Sequence, residues 1–286
     1  MTRTRHPPES TVTTLPADPS YASVLVPLDG SDMAELALGP ARRLAERFGA
    51  ELHVVAANVQ RDKTWWYGRY LDELQQRAGE LTPHLTDDTA VDRAITAAAR
   101  QLEPCLVCMA THGRSRGAAI VGSTFAKLAA RYAEPLVAVG PGIPVAAENT
   151  TPSERIVVCL DGGPVAERAV PLASAWARRL GWDVSLVTAA DPVLVPREYD
   201  VDPYEYLRDI ARRTDFEGLQ VETHVLWGIA YPHVLIGQHL DGRPAGLVVA
   251  TSHARTGLAR AALGSEAARI IHRSPAPVLV QPLPHG

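Results

Sequence analysis

The feature that most constrains this chain is a long internal repeat. Ser23-Val-Leu-Val-Pro-Leu-Asp-Gly-Ser-Asp-Met-Ala-Glu matches Arg155-Ile-Val-Val-Cys-Leu-Asp-Gly-Gly-Pro-Val-Ala-Glu without a gap. Further along, Glu134-Pro-Leu-Val-Ala-Val matches Ala276-Pro-Val-Leu-Val-Gln. Because this period is far longer than a solenoid repeat, the sequence predicts a duplicated domain.

The repeat sets the domain limits, and 286 residues suit two domains of ordinary size. We predict copy one over residues 21–140 and copy two over residues 154–283, joined by a Pro/Gly/Ala-rich linker at 141–153. Residues 1–20 are polar and Pro-rich and lack the apolar core of a signal peptide. We therefore expect a disordered N-terminal tail.

Strand and helix signals alternate within each copy. Residues 24–28 form a short apolar run rich in β-branched residues, which is typical of a strand buried on both faces. We predict that Ser31 caps a helix ending at Gly49, and that Pro164 lies in the first turn of the matching helix. The alternation predicts an α/β fold in which each copy has a five-stranded parallel sheet with helices on both faces. The remaining predicted strands are 52–57, 81–85 (the weakest), 105–110, 136–139, 156–160, 184–188, 220–226, 247–250 and 278–281, and the remaining predicted helices of copy one are 70–77, 90–102 and 122–133.

Composition excludes several classes of function. A net charge of −4 and a pI of about 6.2 give no general attraction to nucleic acid or to an anionic membrane. No stretch approaches the ~20 apolar residues that a membrane span needs. Three cysteines do not make a disulfide framework, so we expect a cytoplasmic protein. Cys105 and Cys108 have the spacing of a redox or zinc motif, but within a strand they face opposite ways, which argues against a shared site.

Two loops in each copy leave the carboxyl ends of predicted strands. One carries Asp29 in copy one and Asp161 in copy two, and the other ends in Gly122-Ser123 or Gly264-Ser265. In open α/β sheets ligands bind where the winding direction reverses, and a helix N-terminus suits a phosphate. The alternative interpretation is structural, because Gly-Ser before a helix is an ordinary cap and Asp-Gly an ordinary turn.

These segments resemble the universal stress protein family. Val-Pro-Leu-Asp-Gly-Ser-Asp near the start and Met-Ala-Thr-His-Gly-Arg-Ser through Gly-Ser carry the resemblance, which extends over both copies. It implies strand order 3-2-1-4-5, dimerisation through the last strands and, in one branch of the family, ATP in this crevice. The positions that match the family's nucleotide site are Leu28, Asp29, Met109, His112, Gly113, Arg114, Gly122, Ser123 and Thr124 in copy one, and Asp161, His253, Arg255, Gly264 and Ser265 in copy two.

Each copy departs from the family's glycine pattern, which has Gly, two residues, Gly, nine residues, and then Gly followed by Ser or Thr. Copy one has Ala110 for the first glycine, keeps Gly113, and has eight residues before Gly122. Copy two has Thr251 and Ala254 for the two glycines and keeps the nine-residue spacing. A Cβ at such positions can clash with a phosphate, and we favour copy one.

Three functions stay open from the sequence. The first is a stress-response regulator that binds ATP, with Mg²⁺ accompanying the phosphates, and passes its state to an unidentified protein partner. The second is an interaction protein whose nucleotide sites have decayed, and the third is a slow nucleotide hydrolase that depends on Asp29. Cyclic AMP is an alternative ligand. We also expect a homodimer of chains, with the two copies of each chain paired to one another. Aromatic residues 65–70 after the second strand favour helix packing over contact with a base.

Overall fold

The computed structural model describes residues 18–57, 64–112, 121–132, 134–144, 153–193, 201–251 and 263–281. Most of the predicted tail and residues 145–152 of the predicted linker lie outside the described residues, so the domain limits stay predictions. None of the described helices has the length and apolar character needed to cross a membrane.

The described residues contain ten strands and ten helical segments, and the strands follow one another in the predicted order. Copy one contains β1 (Ser23–Pro27), α1 (Asp32–Glu35), α2 (Leu38–Phe48), β2 (Glu51–Ala56), α3 (Thr64–Ala78), β3 (Thr82–Leu85), α4 (Val91–Gln101), β4 (Cys105–Ala110), α5 (Ser123–Arg131) and β5 (Leu136–Val139). Copy two contains β6 (Arg155–Leu160), a 3-10 turn (Ala166–Arg168), α6 (Ala169–Leu180), β7 (Asp183–Ala190), α7 (Pro203–Arg213), β8 (Val221–Trp227), α8 (Pro232–Gly242), β9 (Leu247–Thr251), α9 (Ser265–Arg273) and β10 (Val278–Gln281). Every predicted strand is present, including β3.

The strands form one continuous sheet in the order β3-β2-β1-β4-β5-β10-β9-β6-β7-β8. Each copy is parallel within itself and has strand order 3-2-1-4-5, which confirms the predicted fold. The copies meet where β5 and β10 pair antiparallel, with Val137 opposite Leu279. The predicted pairing of the two copies within the chain is therefore confirmed, and it covers the sheet edge that each last strand would otherwise expose.

The segment after each first strand differs from the prediction. Ser31 caps α1, since its Oγ accepts from the amide of Ala34 at 3.2 Å. The single predicted helix is divided in two because Pro40 has no N–H for the carbonyl of Leu36, and its ring would clash there in a continuous helix. In copy two Gly163 replaces the capping serine. Pro164 consequently lies in a turn before a 3-10 segment, so its predicted place in a helix is wrong.

Helices cover both faces of the sheet. On one face α2, α3, α6 and α7 enclose a core that runs through both copies. Trp176 is fully buried there, and its ring lies 5.1 Å from that of Phe48 and 5.8 Å from that of Tyr21. The other face is covered by α4, α5, α8 and α9. Together with the β5–β10 pairing, these contacts hold the two copies as one body.

Candidate functional site

A cavity of about 720 Å³ lies in copy one at the carboxyl ends of β1, β2 and β4. It is at the position where strand order reverses between β1 and β4, which is where ligands bind in open α/β sheets. The structure brings seven predicted site residues together in its wall: Leu28, Asp29, Met109, His112, Gly122, Ser123 and Thr124. Gly113, Arg114, His253 and Arg255 lie outside the described residues.

The loop after β1 fixes a half-buried carboxylate at the cavity. Asp29 accepts hydrogen bonds from both the hydroxyl and the amide of Ser31, at 2.5 and 3.0 Å. The same hydroxyl caps α1, so the carboxylate is held by the helix that follows it. This arrangement places a rigid acceptor where hydroxyl groups of a ligand can donate to it.

The helix α5 begins in the wall of the same cavity. Gly122 donates its amide to the carbonyl of Thr111 at 2.7 Å, and a Cβ at this glycine would lie 2.6 Å from that oxygen. Only glycine therefore allows this close approach of two backbone segments. Gly122 offers no side-chain cap, so no cap competes for the first amides of α5, at Ser123 and Thr124, which line the cavity. The start of a helix is suited to bind an anion.

The start of α3 forms an aromatic wall. Trp65, Trp66 and Tyr67 all line the cavity. Tyr67 is buried and Trp66 stacks on Tyr70 with 5.4 Å between ring centroids, which fits the predicted packing role. Trp65 is different, because 69% of it is exposed although it lines the cavity. An indole left open beside a cavity is suited to contact a planar ring.

His112 connects the site to copy two. Its Nδ1 lies 3.1 Å from the hydroxyl of Thr111, and its ring lies 5.8 Å from that of His272 at the end of α9. Both histidines are held within the fold by these contacts.

The corresponding crevice of copy two has different chemistry. Asp161 accepts from the amide of Gly163 at 2.9 Å, and Gly264 and Ser265 begin α9 as predicted. Where copy one has Thr124, however, copy two has Glu266. The Glu266 carboxylate accepts from the amide of His233 at 2.7 Å and lies 2.9 Å from that residue's Nδ1. A fixed negative charge thus occupies the helix N-terminus that would attract a phosphate.

Sequence reasoning missed Glu266. Comparing Gly122-Ser-Thr with Gly264-Ser-Glu would have shown the added charge, but its contact with α8 joins residues that are far apart along the chain. The described part of α7 and the residues just before it also lack a counterpart of Trp65. When Tyr70, Leu71 and Leu74 are matched to their buried counterparts in α7, Val201 takes the place of Trp65.

The three cysteines are buried on different sides of the sheet. Cys108 faces the core shared by both copies, whereas Cys105 faces the core under α4 and α5. The prediction that the pair does not form one site is confirmed. Burial raises the pKa of Cys105, Cys108 and Cys159 to about 12.

We expect none of the three thiols to react rapidly in the folded protein. With a pKa near 12, about one thiol in ten thousand is ionised at pH 8, and each is also shielded from reagents. Ellman's reagent should detect less than one thiol per chain in buffer and all three in guanidinium. Rapid reaction before unfolding would contradict this burial.

Comparison with known proteins shows the same architecture in other structures. The chain matches the Universal stress protein family over residues 20–140 and again over residues 152–282. Among curated proteins, none matches the chain. A universal stress protein of Archaeoglobus fulgidus DSM 4304 superposes with a TM-score of 0.63 at 19% identity, covering 91% of this chain and 98% of that one. A Pseudomonas aeruginosa UCBPP-PA14 structure described as a universal stress protein gives a TM-score of 0.58 at 20% identity, covering 91% and 92%. At these identities the likeness shows the fold.

Proposed function

This chain belongs to the universal stress protein family, and we propose that it binds one adenine nucleotide in copy one and passes the bound state to a protein partner. The observation that carries the proposal is the cavity of about 720 Å³. A fixed carboxylate, the N-terminus of α5 and an open indole converge in its wall. Its volume falls within the range of small-molecule sites, about 300 to 1,000 Å³.

The chemistry of the wall sets the orientation of the nucleotide. Its phosphates lie against the amides of Ser123 and Thr124, because these donors and the positive end of α5 favour anions. Its base lies against Val55 and Trp65 at the apolar side of the same cavity. Asp29 then accepts from ribose hydroxyls between the two ends.

A divalent cation would enter with the triphosphate. The described part of the chain holds no group of three or more His, Cys, Asp or Glu side chains able to bind a metal. Mg²⁺ is commonly held by substrate phosphates and only one or two carboxylates, so this donor set fits a metal brought by the ligand. When bound, Mg²⁺ would neutralise part of the phosphate charge.

Copy two supports the restriction to one nucleotide per chain. Glu266 holds a carboxylate at the start of α9, and Arg269 lies 3.5 Å from it and 6.0 Å from the ring of Tyr231. These side chains form a local network in place of an open anion site. For copy two we therefore favour the alternative of a decayed site with an interaction role.

Nucleotide binding is tested first on protein purified without added ATP. Mass spectrometry of the small molecules released on denaturation, followed by calorimetric titration, should give about one ATP per chain. No binding at millimolar ATP would overturn the proposal. A hydrolase would instead form ADP in a reaction that Asp29→Ala abolishes, while a contaminating activity would survive that change.

Trp65→Ala should weaken ATP binding about tenfold without changing the affinity for inorganic tripolyphosphate. Base–aromatic stacking contributes ~1–3 kcal/mol, and tripolyphosphate has no base to stack. Calorimetry with both ligands gives the measurement, and Val201→Ala in copy two is the matched control. An equal loss for both ligands would indicate that Trp65 supports the fold of the site and does not contact the base.

We assign this regulator to the cytoplasm as a protein without catalytic activity of its own. Pairing of two chains would need a surface other than the last strands, because β5 and β10 already cover each other. Analytical ultracentrifugation that shows only monomer would remove the homodimer from the proposal.

A further inference from the structure

A second cleft, of about 330 Å³, lies between the outer faces of α4 and α5 in copy one. Its charged lining consists of Asp92, Arg93, Arg100, Lys127 and Arg131. We call it the α4–α5 groove. Four cations therefore face one carboxylate, in a chain whose overall net charge is −4.

The single carboxylate is already neutralised. Asp92 is paired with Arg131 at 2.9 Å, and only 12% of its side chain is exposed. Within the described residues, the side chains of Arg93, Arg100 and Lys127 take part in no ion pair or hydrogen bond. Many other arginines of the chain do pair with carboxylates, for example Arg77 with Glu35 at 3.1 Å. The groove thus collects three cations whose side chains have no partner among the described residues.

Two of the four cations of the α4–α5 groove, Lys127 and Arg131, have arginine counterparts in α9, whereas the other two are specific to copy one. With Ile95 and Ala99 matched to Ile236 and Leu240 of α8, Arg93 corresponds to Val234 and Arg100 to Asp241. One cation is thereby replaced by an apolar residue and another by an acid. The helix packing that both copies share therefore does not require Arg93 or Arg100.

We propose that the α4–α5 groove binds an acidic segment of a partner protein. Arginine and lysine separated by helical turns present donors over about 10 Å, which suits three or four carboxylates. Ala97 is exposed between the cations and offers apolar contact to a polypeptide. A nucleic acid duplex would need a broader basic surface than this patch on an acidic chain.

The same two helices wall the nucleotide cavity. Val91 and Ile95 of α4 and Ser123 and Thr124 of α5 line that cavity. Lys127 lies one turn beyond Ser123 on α5 and lines the groove. A ligand bound at the N-terminus of α5 therefore contacts a helix that lines both the cavity and the groove. This coupling, unlike the groove itself, rests on the proposed nucleotide binding.

The groove is tested with a fluorescein-labelled octaglutamate peptide and the full chain, by fluorescence anisotropy at low ionic strength. The double variant Arg100→Glu with Lys127→Glu should bind at least tenfold more weakly than the wild type. The control is Arg168→Glu with Arg212→Glu, which changes net charge equally at two exposed arginines outside the groove. Arg100 and Arg212 both lie in the last turn of a helix, so the effects of these two substitutions on helix stability are matched.

The control variant should bind within twofold of the wild type. Equal losses of peptide affinity in both variants, or no peptide binding by the wild type, would overturn the proposal that the groove binds an acidic segment. Tighter binding of an eight-nucleotide oligothymidylate with the same dependence on Arg100 and Lys127 would overturn its assignment to an acidic protein segment.

A repeat with saturating ATP tests the coupling separately. We expect the affinity for the peptide to change at least threefold. An unchanged affinity for the peptide with ATP bound would overturn the coupling but not the proposed peptide site. If ATP does not bind, the proposed function and the coupling both fail, while the peptide result still decides the groove.

Discussion

Replacing Thr124 by glutamate is expected to lower the affinity for ATP by at least 100-fold and to leave the fold intact. The change copies Glu266 of copy two into the second position of α5, where Thr124 lines the cavity. A carboxylate ~4 Å from a phosphate charge costs about 4 kcal/mol at an effective dielectric constant of 20. The folded state does not suffer, because an acidic side chain in the first turn of a helix stabilises it by ~0.3–1 kcal/mol.

The matched control is Thr124→Gln, which has nearly the same size as glutamate and no charge. Calorimetric titration should show that this variant keeps most of the affinity, while thermal unfolding should show that both variants are as stable as the wild type. Equal ATP affinities for the glutamate and glutamine variants would contradict the placement of the phosphates at α5.

Gly140→Ala should lower the free energy of unfolding by about 3 kcal/mol, the upper part of the range for overpacking. Gly140 follows β5 at the junction of the copies, and a Cβ there would lie 1.9 Å from the carbonyl oxygen of Ile271 in α9. That oxygen belongs to the backbone, so either the end of β5 or the end of α9 must move. Because both segments belong to the junction, we expect the pairing of the copies to weaken.

Gly237→Ala provides the control for this substitution. Gly237 lies within α8, and a Cβ there meets nothing within 4 Å. Alanine in a helix is favoured over glycine by ~1 kcal/mol, so this variant should be at least as stable as the wild type. Urea unfolding followed by circular dichroism measures both variants. A urea midpoint for Gly140→Ala equal to that of the wild type would show that the junction accommodates the added Cβ without loss of stability.

Most of the fold could be predicted because its signals are local and occur twice. Each short β-branched run followed by a helix predicts a buried parallel strand, and the repeat confirms each assignment with a second example. The errors arose where one residue changes the local geometry. Pro40 divides a helix that looks continuous, and Gly163 removes the cap that would have begun a helix near Pro164.

The sequence by itself determined the fold class, the strand order implied by the family resemblance, and the loops that carry Asp29 and Gly122. Only the tertiary structure decided which side chains make the walls of the two crevices differ. Trp65 lies in α3 and lines the cavity of copy one, and Glu266 of copy two contacts His233 on α8. The physical reason is that hydrophobic periodicity and turn residues act between near neighbours along the chain. The charge and shape of a crevice depend on side chains that only the packing of distant helices brings together.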